Sequence, residues 1–148
     1  MAELRTPPTD LPLAAADQPP PPGESRAPVL LVTMPALNEE RTVGDVVRSV
    51  PQEIPGIARV AVVVIDDGST DRTVELARAA GAEVISHGRQ RGVGSAFQTA
   101  LAHGLACGAD LIVGIDSDGQ FNPADIPRLV EPVLRGEADF ATASRFAD

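Results

Sequence analysis

Val60-Ala61-Val62-Val63-Val64-Ile65-Asp66-Asp67-Gly68-Ser69-Thr70-Asp71 is the stretch whose reading decides the fold. Its first six residues are apolar and mostly β-branched, without polar alternation, as a strand covered on both faces requires. The run stops at two carboxylates and a glycine, which is turn chemistry. Ser69 and Thr70 then stand as N-cap candidates for a helix carrying Val74, Ala77 and Ala80 and closing at Gly81. Strand, acidic turn and helix make half of a parallel crossover unit.

The pattern repeats outward. Upstream, Val29-Leu30-Leu31-Val32-Thr33-Met34 reads as another doubly covered strand. Val43, Val46, Val47 and Val50 follow at i, i+3, i+4 and i+7, one helical stripe that Pro51 and Pro55 stop. Downstream, Glu83-Val84-Ile85-Ser86 is a short strand. Gly92 and Gly94 lead into a helix with Val93, Ala96, Phe97, Ala100, Leu101, Gly104 and Leu105 on one face. Leu111-Ile112-Val113-Gly114-Ile115 is a fourth strand. Asn122-Pro123 reads as cap and first helical position for a segment with Ile126, Leu129, Val130, Val133 and Leu134 on one face, which Pro127 and Pro132 should break or kink. Phe140-Ala141-Thr142-Ala143 suggests a fifth strand. Such alternation predicts an α/β fold, a mostly parallel sheet with helices on both faces.

Composition narrows the function. The 148 residues suit one domain, and 43% hydrophobic content supports a packed core. A net charge of −9 argues against a nucleic-acid partner. All twelve basic residues are arginine, so chemistry that needs a Schiff-base or phosphate-loop lysine is excluded. The single cysteine, Cys107, reads as a small core residue. No apolar run is long enough to cross a bilayer, and the N-terminus lacks signal-peptide order, so a cytoplasmic protein is expected. Residues 1–28 hold eight of the fourteen prolines and read as a disordered tail ahead of a domain at 29–148. The run at 19–22 suits a proline-recognising groove, although a solvated leader is the simpler reading.

In an open parallel sheet, ligands bind beyond the carboxyl ends of the strands. The four strands end in Pro35-Ala36-Leu37-Asn38-Glu39-Glu40, Asp66 to Asp71, His87-Gly88-Arg89-Gln90-Arg91-Gly92-Val93-Gly94 and Asp116-Ser117-Asp118-Gly119-Gln120. All four carry acids, glycines or arginines, and all should open onto one rim. In an extended segment Asp116 and Asp118 point to the same side and can converge on one cation. Hard oxygen ligands suit Mg²⁺ or Mn²⁺, and Gln120 adds a neutral oxygen. Each motif alone also fits a solvated turn or a helix start, where Asp71, Glu39 and Glu40 would favour the dipole. A calcium loop fits poorly, because Gly119 comes too early and Pro127 stands where its closing Glu should be. A dinucleotide fingerprint is incomplete, since Phe97 replaces the third glycine. His87 and His103 lack metal-ligand spacing and read as structural.

Taken in order, these four stretches resemble the family 2 glycosyltransferases of GT-A fold. Asp116-Ser117-Asp118-Gly119-Gln120 and Ala143-Ser144-Arg145-Phe146 are most similar to the polyprenyl- or dolichyl-phosphate sugar synthases. The resemblance spans residues 29–146. It implies that Pro35, Leu37, Glu39 and Asp67 line the base and ribose pocket, with Asp66 beside it. Arg91 and Gly94 would approach the nucleotide, and Asp116 would serve both nucleotide and metal. Asp118 and Gln120 would complete the metal ligands, with Asp118 and Arg145 in catalytic roles. The implied reaction is inverting displacement on a UDP- or GDP-linked sugar, with Mg²⁺ or Mn²⁺ on the diphosphate. Its implied acceptor is a polyprenyl phosphate, met through peripheral contact with a membrane surface. Gln90, Val93 and Ala143 depart from the family's common Asn, Lys and Gly. The family continues beyond the fifth strand, so truncation there is expected, and an exposed sheet edge would favour association with a second copy. The alternative implied is a non-catalytic nucleotide-sugar-binding remnant.

Overall fold

The computed structural model describes residues 26–144. Residues 1–25, the greater part of the proline-rich segment, and Arg145 and Phe146 lie outside the described residues. The strands are β1 (Val29–Ala36), β2 (Arg59–Asp66), β3 (Glu83–Ser86) and β4 (Leu111–Gly114). The helices are α1 (Val43–Ser49), α2 (Thr73–Ala79), α3 (Val93–Ala106) and α4 (Ile126–Leu134), with a short 3₁₀ turn at Pro123–Asp125. All pairings are parallel, in the order β3-β2-β1-β4, so β1 is central and every strand ends on the same rim.

Side-chain alternation explains the two covered faces. Leu30, Val32 and Met34 of β1, with Val60 and Val64 of β2, bury against Val43, Val46 and Val47 of α1, Ala77 of α2, and Ile126 and Val130 of α4. Val29, Leu31, Val63 and Ile65 point the other way, onto Ala96 and Ala100 of α3. Contacts reach back into the segment read as a tail: Ala58 N donates to Pro28 O at 2.8 Å, and Arg26 pairs with Asp110 at 3.1 Å.

Four sequence expectations are corrected. The α3 stripe is only half used: Ala96, Ala100 and Gly104 are buried, whereas Phe97 is 62% and Leu105 79% exposed. The small residues form the ridge that lets the helix backbone lie close to the sheet, where a Cβ on Gly104 would come within 2.5 Å of Ile112 Cδ1. The large residues fall on the flank. Second, Phe140-Ala141-Thr142-Ala143 is not a strand; it lines a cavity beside β4 without joining the ladder, and Phe140 is exposed. Its one large side chain, Phe140, is exposed and the rest are small, so too little is buried to fix a register, and β4 forms a sheet edge among the described residues. Third, Ser69 and Thr70 do not cap α2. The N-cap position falls to Arg72, which makes no side-chain cap bond; Asp71, one residue ahead, accepts from Thr73 N at 2.9 Å, while Ser69 and Thr70 are engaged with Asn38. Fourth, α4 runs through Pro132 to Leu134, and Pro127 sits harmlessly in its first turn.

Candidate functional site

The rim at the strand ends is tied together by side chains bonding to backbone. Asn38, held at φ 56°, donates its N–H to Ser69 Oγ at 2.9 Å and accepts from Thr70 N at 2.9 Å. Glu39 N donates to Thr73 Oγ1 at 2.8 Å, and Glu40 exchanges bonds with Asp71 and Arg72 N at 3.2 Å each. The loops after β1 and β2 therefore form one unit. Leu37 and Glu39 are half-buried within it, with Glu39 Oε2 accepting from Thr42 Oγ1 at 3.2 Å.

Asp66 and Asp67 are both buried, yet both carboxyls are held below their usual 3.8. For Asp66, burial opposes ionisation, but hydrogen bonds from Ser69 and from Ser86 Oγ, the latter at 2.6 Å, outweigh it. For Asp67 the bond with His87 Nδ1 at 2.9 Å dominates; burial opposes it, and the amides of Arg91 and Gly92 at 2.8 Å each reinforce it. Both oxygens of Asp67 are thus engaged by the chain itself. Gly68, at φ +93°, lies against the backbone of the next loop, where a Cβ would sit 2.7 Å from Gln90 N. The structure so brings together Asp66, Asp67 and the backbone of Arg91, whose side chain is exposed. Gly94 opens to solvent in the first turn of α3, with nothing within 4 Å of its would-be Cβ.

Beyond β4, Ser117 is buried and anchors its loop to β1, donating to Pro35 O at 2.8 Å while its carbonyl accepts from Thr42 Oγ1 at 2.8 Å. Its neighbours are thereby turned outward. Asp116 is exposed, and Asp118 accepts from Gln120 N at 2.9 Å and from Gln120 Nε2 at 2.8 Å. Among the described residues, no group of three or more His, Cys, Asp or Glu is assembled to hold a metal. Asp116, Asp118 and Gln120 are oxygen donors of the type a hard cation takes, and the structure sets Asp118 and Gln120 side by side. Asp116 and Pro35 also border a cavity of about 230 Å³, whose apolar wall includes Val93, Phe97 and Phe121.

Sequence reasoning read His87 as structural and gave Ser117 no role of its own within the rim stretches, while Thr99 and Ser86 stood outside them. A signal existed for His87: in the β2–β3 register Ile65 pairs with Ile85 and Asp66 with Ser86, so Asp67 and His87 leave their strands side by side. No helix among the described residues is long and apolar enough to cross a membrane.

Known proteins are similar to this chain in sequence and fold. Glucosyl-3-phosphoglycerate synthase of Mycobacterium tuberculosis is 39% identical over 114 residues, covering 72% of this chain and 34% of that protein. Its crystal structure with Mn²⁺, UDP-glucose and phosphoglyceric acid superposes with a TM-score of 0.62 at 36% identity, over 74% of this chain and 40% of that one. UDP-N-acetylglucosamine–dolichyl-phosphate N-acetylglucosaminyltransferase of Methanococcus voltae is 27% identical over 134 residues, 79% of this chain and 52% of that protein. The chain thus spans between a third and about half of these relatives' lengths. The family model described as Glycosyl transferase family 2 matches residues 31–148, and with the parallel sheet and its shared rim this establishes that the chain belongs to glycosyl transferase family 2.

Proposed function

We propose that this chain is the donor-binding part of an inverting glycosyltransferase that moves a sugar from a nucleoside diphosphate to a polyprenyl phosphate. One observation carries the reading: Asp116, exposed and turned outward by buried Ser117, borders the same cavity as Pro35 on a rim where four strand ends meet. The relative solved with Mn²⁺ and UDP-glucose supports a uridine donor and a divalent ion, Mg²⁺ or Mn²⁺. When bound, that ion would supply Lewis-acid stabilisation of the departing diphosphate. Asp116, Asp118 and Gln120 would hold it. Pro35, Leu37, Glu39, Asp66 and Asp67 shape the nucleoside end, Arg91 and Gly94 approach it from α3, and Arg145 meets phosphate.

The apolar wall favours a lipid acceptor. Val93, Phe97 and Phe121 flank Asp116, and Phe97 also borders the cavity of about 510 Å³ that runs past Leu101 to Phe140. A small anionic acceptor, such as the phosphoglyceric acid of the mycobacterial structure, would need cationic partners there instead. A lipid acceptor implies peripheral contact with a cytoplasmic membrane surface. The second reading is a nucleotide-sugar-binding module without turnover.

Calorimetry with UDP-glucose and GDP-mannose, with and without Mn²⁺, tests the donor reading. Metal-dependent binding of UDP-glucose is expected; binding of neither sugar nucleotide overturns it. Transfer to a short-chain polyprenyl phosphate, followed with radiolabelled donor, separates the enzyme from the binding module.

A further inference from the structure

His87 occupies a position that the donor-site reading leaves unused. It follows β3, its side chain is 4% exposed, and its ring spans two elements. Nδ1 lies 2.9 Å from Asp67 Oδ1 after β2, and Nε2 lies 2.9 Å from Thr99 Oγ1 on α3. An ionised carboxylate only accepts, so the ring hydrogen toward Asp67 sits on Nδ1. In the neutral ring Nε2 then accepts from the Thr99 hydroxyl. One tautomer satisfies both contacts.

The same Asp67 carboxylate holds the start of α3. Its Oδ1 accepts from Arg91 N, and its Oδ2 accepts from Gly92 N, both at 2.8 Å. These two amides belong to a turn without regular structure, and Gly92 itself holds φ +95°. A carboxylate rotates freely about its last bond unless a partner fixes its plane. His87 is that partner from the β3 side, and Thr99 fixes the ring in turn. Below, His87 N donates to Asp66 O at 2.9 Å, so the backbone that carries the ring is itself tied to β2.

The geometry points to His87 as a positioning residue: through Asp67 it sets the Arg91–Gly92 turn that faces the donor. This rests on the nucleotide-site reading above. His87 touches no donor atom, and its effect passes through the carboxylate and two amides. A histidine that merely filled space would be replaceable by any ring of its size.

His87→Phe keeps a ring and removes both nitrogens, whereas His87→Asn restores a donor close to the position of Nδ1. Amide exchange on the full chain is read at Arg91 and Gly92, with the β1 amides as internal reference, and UDP affinity is measured with Mn²⁺. In His87→Phe, exchange at those two amides should quicken about tenfold with β1 unchanged, and UDP should bind about tenfold more weakly. His87→Asn should recover most of both. Unchanged exchange at Arg91 and Gly92 in His87→Phe overturns the assignment, and so does a rise shared equally with β1. If His87→Phe does not fold, Thr99→Val decides in its place: the ring loses one anchor, and exchange should rise about threefold at the same two amides. Failure of the wild-type chain to bind UDP or GDP would overturn the nucleotide reading, while the exchange rates still decide the role of His87.

Discussion

Gly68 and Arg89 meet backbone to backbone: a Cβ on Gly68 would lie 2.6 Å from the Arg89 carbonyl carbon. The glycine also holds φ +93°, a conformation costly for any other residue. Neither partner is a flexible side-chain end, so relief requires the whole 88–91 loop to move. Gly68→Ala should cost about 2–3 kcal/mol in urea unfolding. It should also weaken nucleotide binding by more than that loss of stability explains.

Substitutions at Asp116 and Asp118 would separate the proposed metal binding from folding. Asp116 is exposed, and the partners of Asp118 lie within its own turn. Asp116→Asn and Asp118→Asn should each abolish metal-dependent donor binding, read by calorimetry with Mn²⁺. Each should leave unfolding stability within about 0.5 kcal/mol of wild type.

Acid should loosen the rim first. Asp66 and Asp67 titrate below their usual 3.8, so their ionised forms stabilise the fold. That contribution is present above the unfolded value near 3.8 and fades as pH falls through the lower folded values. Urea midpoints taken from pH 6 to pH 2 should therefore drop most steeply below about pH 4. Asp67→Asn should be less stable at neutral pH and should show a shallower acid decline.

Gly104 offers a packing test. A Cβ there would come within 2.5 Å of Ile112 Cδ1 and 3.4 Å of Leu31 Cδ2. The closest atom is the end of a flexible side chain, but Ile112 Cγ1 stands at 3.2 Å behind it, so Gly104→Ala should cost about 1–2 kcal/mol despite its better helix propensity. Ile112→Val removes that Cδ1. The double variant should recover part of the loss, a coupling that a double-mutant cycle measures directly.

Continuous apolar runs such as Val60 to Ile65 made β1 and β2 legible, because a strand buried on both faces has no polar positions to blur it. The valine stripe of α1 was legible for the opposite reason: exposed Asp45, Arg48 and Ser49 mark its other face. Periodicity failed where two apolar functions share one helix: it cannot separate Ala96, Ala100 and Gly104, which pack, from Phe97 and Leu105, which do not. It also read Phe140-Ala141-Thr142-Ala143 as a strand, since composition records propensity but not the presence of a neighbour to pair with. At the rim the residue types were legible but their partners were not. Ser69 looks like a helix cap until Asn38, thirty-one residues earlier, takes its hydroxyl. Asp67 reads as ligand-facing, yet its two oxygens already hold His87, Arg91 and Gly92.

The central place of β1 also dictates a sequence of events as the chain is made. Leu30 pairs on one side with Val60 and on the other with Leu111. Closing the longer of these two loops costs about 0.9 kcal/mol more in chain entropy, too little to order the steps by itself. The ribosome orders them instead. A nascent chain that has cleared residue 86 can assemble β1, β2 and β3, whereas β4 emerges some twenty-five residues later. For that interval the most buried strand among the described residues waits with one edge bare, and a chaperone acting on this protein would find its target there.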